Sequence, residues 1–188
     1  MIPPQLLLQG YRLGVFPMAM PDGTIEWFSP DPRAIMPLDR FRVPHALRRL
    51  VRKKVFQIKI DHRFSDVIRA CAKRRDTWIN REIIESYEAL HELGYAHSIE
   101  AWTENKLAGG LYGVAIGGAF FGESMFHRVT DASKVALVAL VEHLREKKFA
   151  LLDTQWTTPH LEQFGAIEIS REQYLKSLRR AIELPRKF

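Results

Sequence analysis

The chain of 188 residues carries a single cysteine, Cys71, which excludes an intrachain disulfide framework and a cysteine-based zinc site. Its seven histidines never fall in a His-Glu-x-x-His spacing, so no metal centre is expected. Absent too are a Gly-x-Gly-x-x-Gly turn, a Walker lysine loop and a Gly-x-Ser-x-Gly elbow. Nucleotide hydrolysis and serine hydrolase chemistry recede together. The longest uncharged stretch, residues 107–122, covers 16 positions, short of the roughly 20 that a membrane helix needs. Gly117-Gly118 interrupts it, as a buried hairpin would. The first residues, Met1-Ile2-Pro3-Pro4, lack the basic region and apolar run of a signal peptide, so a cytoplasmic location with no membrane partner is expected.

What is present is a core and an uneven charge. With 46% hydrophobic and 27% charged residues, the composition is that of a compact folded protein. Residues 40–75 hold 13 of the 28 Lys and Arg against only Asp61 and Asp66, so the net charge of +6 conceals a basic segment on a slightly acidic body. That asymmetry points to a polyanionic partner. Without a polybasic tail or lipidation signal, nucleic acid fits better than a membrane.

The first 40 residues are dominated by turn chemistry, with a short helix expected over 5–14 and then loops and a short strand. Pro44 opens a helix to about residue 53, with Leu47, Leu50 and Val51 on its apolar side and Arg48, Arg49, Arg52 and Lys53 opposite. A strand over 55–60 follows, then a helix capped by Ser65 and ending in Lys73-Arg74-Arg75, then one capped by Asn80 and stopped by Gly94. From residue 97 the period changes to two, predicting strands over 97–103, 107–116 and 119–126 in an antiparallel meander. A buried helix from Thr130 or Asp131 to residue 148, a strand over 149–155, a short helix over 159–164, a strand over 167–169 and a last helix with a Ser170/Gln173 capping box complete the chain. This order makes an α+β, mixed α/β fold: one mixed, mainly antiparallel sheet flanked by helices, compatible with acyltransferases of the GNAT type.

Two carboxylates stand on otherwise apolar strands. In Leu151-Leu152-Asp153-Thr154-Gln155, alternation sets Asp153 and Gln155 on one face and Leu152 and Thr154 on the other. Glu123 sits among aromatics in Phe120-Phe121-Gly122-Glu123-Ser124-Met125-Phe126. Ionised carboxylates are seldom buried without partners, so this placement invites a functional reading.

Seven segments then carry a resemblance: Tyr11-Arg12-Leu13-Gly14-Val15-Phe16-Pro17, Trp27-Phe28-Ser29-Pro30-Asp31-Pro32-Arg33, Thr77-Trp78-Ile79, Gly109-Gly110-Leu111-Tyr112-Gly113-Val114, Gly122-Glu123-Ser124-Met125-Phe126, Ala132-Ser133-Lys134 and Asp153-Thr154-Gln155. In order and spacing, over nearly the whole chain, they resemble the bacterial leucyl/phenylalanyl-tRNA-protein transferases. The resemblance implies a small N-terminal lobe, residues 1–34, on a GNAT-like domain, residues 35–188. It also implies transfer of Leu, Phe or Met from aminoacyl-tRNA to an N-terminal Arg or Lys of a protein, marking that protein for degradation. Such a reaction is aminolysis of an activated ester and needs no cofactor. A monomer is implied as well.

By the same resemblance, Gln155 holds the attacking amine, Asp153 orients Gln155, and Glu123 helps hold the amine or ester. Glu123 and Asp153 together would form an acidic entrance for the acceptor's cation. Leu111, Phe120, Phe121, Leu137, Leu140 and Leu152 match the aminoacyl side-chain pocket. Trp78 and Met18 are matched to the terminal adenosine of the tRNA, Met18 standing where some members have Trp. The basic residues Arg48, Arg49, Arg52, Lys53 and Lys54 would meet tRNA phosphates. Cys71 and His160 receive no task.

The nearest rival, an acetyl-CoA-dependent N-acetyltransferase, wants a glycine-rich turn before the long helix, and residues 127–133 contain no glycine. A non-catalytic RNA-binding module would explain the basic segment but leave Glu123, Asp153 and Gln155 unused.

Overall fold

The computed structural model describes residues 1–73 and 77–188. Its centre is the meander that period-two patterning predicts: β5 (Ala96–Thr103), β6 (Lys106–Ile116) and β7 (Ala119–His127). Every residue of β6 after Lys106 is buried, because helices cover both faces. Glu104 and Asn105 turn the first hairpin with φ of 48° and 60°, the left-handed pair that matches strand twist. Gly117 turns the second, where a Cβ would stand 2.3 Å from the Ile182 carbonyl oxygen.

The flanking strands are β4 (Gln57–Ile60), β8 (Leu151–Gln155), β3 (Arg33–Ile35) and β9 (Ile167–Ile169). The sheet order is β4-β5-β6-β7-β8-β3-β9, and among the described residues only β7 and β8 pair in parallel. The helix α5 (Ala132–Glu146) covers one face, burying Leu137, Leu140 and Val141 against Leu111, Phe120 and Leu152. The other face carries α1 (Pro4–Arg12), α3 (Phe64–Cys71), α4 (Arg81–Glu92) and α7 (Arg171–Ile182). Tyr11, Tyr87, Phe121 and Tyr174 belong to that second apolar cluster.

Among the described residues, side-chain caps open three of the helices. Asn80 Oδ1 accepts the Ile83 N–H at 2.9 Å, and the Ser170/Gln173 capping box forms. Thr158 caps the short α6 (Pro159–Glu162). One expectation is corrected. Ser65 lies inside α3 rather than at its cap, because the turn is anchored at Arg63, whose N–H donates to the buried Glu100 carboxylate at 2.7 Å. Asp131 stands just before α5, as expected, with φ of 65° and its carboxylate accepting from Lys134 at 2.7 Å. α3 ends at Cys71, short of Lys73; Arg74 and Arg75 lie outside the described residues.

Near the N-terminus, β1 (Phe16–Ala19) and β2 (Ile25–Phe28) form a two-stranded sheet. The Trp27 ring lies across Gly10, where a Cβ would come within 2.2 Å of it. Tyr11 and Phe16 share their apolar cluster with Tyr87 and Phe121, while β3 joins the large sheet. On α2 (His45–Arg52), Leu47 is buried and Leu50 and Val51 pack on the α5-side core.

Two irregularities meet at the centre of the sheet. Tyr112 pairs with Ser124 and Gly113 with Gly122, leaving Glu123 as the extra residue of a β-bulge. The bulge shifts the alternation, so Met125 packs on the α5 side and Phe126 on the other. β7 and β8 pair over three positions only, from Ala119 with Leu151 to Phe121 with Asp153, and then part.

Candidate active site

Where β7 and β8 part, the bulge turns Glu123 toward two phenols and an amide. Glu123 Oε1 accepts the Tyr11 hydroxyl at 2.7 Å and Gln155 Nε2 at 3.0 Å. Its Oε2 lies 3.3 Å from the Tyr87 hydroxyl, and the two tyrosine hydroxyls are hydrogen-bonded to each other. Tyr11 comes from the first motif on α1; Tyr87 belongs to the apolar stripe of α4. Burial pushes the Glu123 carboxyl up to about 7, even though the bonds from Tyr11, Gln155 and Tyr87 favour its ionised form.

Asp153 is differently occupied. Its Oδ1 accepts Arg33 Nε at 3.0 Å and the Gln155 backbone N–H at 2.9 Å, and its Oδ2 accepts Arg33 Nη2 and the Tyr174 hydroxyl, both at 2.7 Å. The Arg33 guanidinium also donates to the Gly14 carbonyl at 3.1 Å and lies over the Phe16 and Tyr174 rings. The expectation that Asp153 shares an acidic entrance with Glu123 is therefore corrected: the carboxylate is fully buried and closed off by Arg33. It acts on Gln155 through the backbone, at a residue with φ of 66°, while Glu123 holds the side-chain amide.

A pocket of about 460 Å³ opens at this point. Leu111, Leu137, Leu140 and Leu152 form its apolar wall, Glu123 and Gln155 its polar end, and Trp78 and Trp156 its rim. Phe120 and Phe121 do not line it. As adjacent strand residues they face opposite sides of the sheet, Phe120 stacking on Phe188 and Phe121 packing on Tyr11. Met18 is partly buried against the Tyr11 cluster, and the Ala19 N–H beside it donates to the Trp78 carbonyl at 3.1 Å.

A second cleft of about 640 Å³ adjoins the first, sharing Met125 and His160 with it. Lys73, His127, Arg128 and Lys134 line it together with Asp131, which pairs with Lys134, so the wall keeps a net positive charge. His160, which sequence reasoning left without a task, thus borders both cavities; burial, Lys134 and His127 hold its imidazole below the usual range. Arg48, Arg49, Arg52, Lys53 and Lys54 are exposed on and just after α2, and among the described residues none of them is ion-paired.

Sequence reasoning overlooked roles for Tyr11, Arg33, Tyr87, Tyr174 and Trp156. Tyr11 and Arg33 lie within the quoted motifs, which was their one available signal. Tyr87 and Tyr174 look like core residues of amphipathic helices.

A seven-stranded mixed sheet of this order, opened where its parallel pair parts and flanked by helices, defines an α+β fold with its site in the cleft between β7 and β8. The comparisons narrow the class. The family model described as leucyl/phenylalanyl-tRNA protein transferase matches residues 35–179, and the model of that family's N-terminal domain matches residues 1–31. A leucyl/phenylalanyl-tRNA–protein transferase of Akkermansia muciniphila is 55% identical over 185 residues, 96% of each chain. One of Rubrobacter xylanophilus is 53% identical over 186 residues, covering 98% of this chain and 97% of the relative. Among solved structures, L-PGS from Bacillus licheniformis aligns with a TM-score of 0.47 at 11% identity over 95% of this chain and 70% of that one. The chain belongs to the leucyl/phenylalanyl-tRNA protein transferase family. Among the described residues, no helix is long and apolar enough to cross a membrane.

Proposed function

We propose that the chain moves Leu, Phe or Met from aminoacyl-tRNA to the N-terminal Arg or Lys of acceptor proteins, acting as a cytoplasmic monomer that marks them for degradation. The observation that carries this reading is the leucine-walled pocket ending on Gln155 and Glu123 at the parting of β7 and β8. The aminoacyl side chain fills the apolar wall of Leu111, Leu137, Leu140 and Leu152, and its ester lies at the polar end. An apolar pocket separates similar side chains by only about 1–3 kcal/mol, in keeping with use of several.

The incoming α-amine has an ordinary pKa of about 8, which leaves a reactive neutral fraction near neutrality. Because Gln155 Nε2 is committed to Glu123, its Oε1 is left to accept an amine N–H and hold the nitrogen for attack. Asp153 keeps the Gln155 backbone in place, and Glu123 is the acidic group on the pocket wall that meets the acceptor. Trp78, with Met18 nearby, receives the terminal adenine, stacking being tolerant of base identity. Arg48, Arg49, Arg52, Lys53 and Lys54 take stem phosphates, and the cleft with Arg128 and Lys134 takes those of the single-stranded end. The proposed division of the chain into an N-terminal lobe, residues 1–34, and a catalytic domain, residues 35–188, serves this arrangement: the lobe carries Met18 and sends Tyr11 and Arg33 to the catalytic residues.

The test is transfer of radiolabelled Leu from Leu-tRNA to two peptides differing only in a free or an acetylated N-terminal Arg, with acetyl-CoA in parallel. Label on the free peptide alone is expected. Acetylation instead, or tRNA binding without transfer, would overturn the reading.

A further inference from the structure

Glu123, Tyr11 and Tyr87 form a closed set of oxygen contacts that is one proton short. Each phenol carries a single proton. Tyr11 donates to Glu123 Oε1 at 2.7 Å, Tyr11 and Tyr87 share a hydrogen bond, and Tyr87 lies 3.3 Å from Oε2. With Glu123 ionised, Tyr87 can serve Tyr11 or Oε2 but not both. One added proton on Oε2 completes the ring: Oε2 donates to Tyr87, Tyr87 to Tyr11, and Tyr11 to Oε1. The proton has to go to Oε2, because Oε1 already accepts from Tyr11 and Gln155. Both tyrosines are enclosed, at 1% and 0% exposure, whereas Glu123 reaches the pocket wall.

We propose that Glu123 accepts the proton released in the transfer step, with Tyr11 and Tyr87 as the positioning residues that hold it ready. This rests on aminoacyl transfer at this pocket. The neutral amine nitrogen forms its bond to the ester carbonyl carbon, and the bond from that carbon to the ribose oxygen breaks. One amine proton passes to Glu123 Oε2 and closes the ring; the departing ribose oxygen then takes that proton and leaves as an alcohol. Ester and amine become amide and alcohol, and Glu123 returns ionised.

The surroundings suit the task. The charged group facing Glu123 from β8 is Asp153, which is neutralised by Arg33 from β3 and bonded by Tyr174 from α7. Gln155 contributes a neutral amide, and Tyr112 packs its ring edge-on against Tyr87. Burial holds the Glu123 carboxyl at about 7, so near neutrality it both takes and returns a proton readily.

The test combines Glu123→Gln, Tyr87→Phe and Tyr11→Phe with two readouts: kcat against pH for transfer to an N-terminal Arg peptide, and infrared titration of carbon-13-labelled Glu in the free enzyme. Glu123→Gln is expected to lower kcat by about 100-fold or more while leaving the KM for aminoacyl-tRNA within a few-fold, and to remove the carboxyl that titrates near neutrality. Tyr11→Phe loses the 2.7 Å donor to the ionised form, so the titration midpoint should rise by roughly one pH unit in both readouts; Tyr87→Phe loses a 3.3 Å donor and the acceptor of the Oε2 proton together, so its midpoint should move less. The acceptor's amine is the same in all variants and cannot produce that shift. A Glu123→Gln enzyme with normal kcat, or an infrared midpoint unmoved in Tyr11→Phe, would overturn the proposal while leaving the transferase reading intact. Should a Phe variant fail to fold, a wild-type Glu123 midpoint in the ordinary carboxylate range would overturn it alone. A wild-type enzyme that transfers nothing would overturn both.

Discussion

Arg33 and Asp153, 120 positions apart in the chain, meet side-on through two hydrogen bonds, Nε to Oδ1 at 3.0 Å and Nη2 to Oδ2 at 2.7 Å. Neither side chain reaches solvent, so each charge is tolerable only because of the other. Removing one partner of such a pair costs about 3–5 kcal/mol, because an uncompensated charge stays buried. Asp153→Asn should lose that much in urea unfolding and should lower kcat far more than tRNA affinity. Equal losses in turnover and affinity would argue against a role at Gln155.

Stability should also report the buried Glu123. Its carboxyl titrates at about 7 in the folded chain against an ordinary value of 4.5, so between these values the native state holds a proton that the unfolded chain has released. Stability attributable to this group is therefore full below the lower value and falls as pH rises toward 7, by up to about 3 kcal/mol. Glu123→Gln should flatten that decline in thermal melts between pH 5 and pH 8. An identical decline in the variant would show that the carboxyl is not buried as described.

Pocket volume should set substrate choice. Leu111→Trp is expected to reduce kcat/KM for phenylalanyl-tRNA more than for leucyl-tRNA, by about tenfold in ratio, since the larger side chain loses its space first. Unchanged use of Phe-tRNA would remove Leu111 from the pocket.

The exposed cations of α2 should act on affinity alone. Arg48→Glu with Arg52→Glu is expected to weaken tRNA binding at low salt and to reduce the steepness of its logarithmic salt dependence by about 1 for every phosphate that is no longer neutralised. kcat at saturating tRNA should stay within a few-fold of wild type. Binding untouched at low salt would put the phosphate-binding surface elsewhere.

Much of this architecture is readable from local pattern. The β5–β7 meander follows from period-two alternation and its turns, and the capping of α4 and α7 follows from Asn80 and the Ser170/Gln173 pair. The polar cluster is legible as isolated carboxylates on apolar strands, but its partners are not. Nothing in the spacing of Arg33 and Asp153 links them, because sheet order rather than sequence brings β3 beside β8. Phe120 and Phe121 show the limit of matching by resemblance alone, since both are taken up by core contacts, with Phe188 and with Tyr11, and neither lines the pocket. The bulge at Glu123 has no compositional signature, as it is a difference in length between paired strands.

That last feature sets what kind of change the site can bear. β7 carries one residue more than β6 between the pairs Tyr112 with Ser124 and Gly113 with Gly122. Substitutions near it alter groups one at a time. Loss of the Glu123 codon would let Gly122 and Ser124 follow one another opposite Gly113 and Tyr112, keep Met125 opposite Leu111 and leave a better-ordered ladder with no acid beside Gln155. In this chain the length of β7, as much as any side chain, shapes the candidate site.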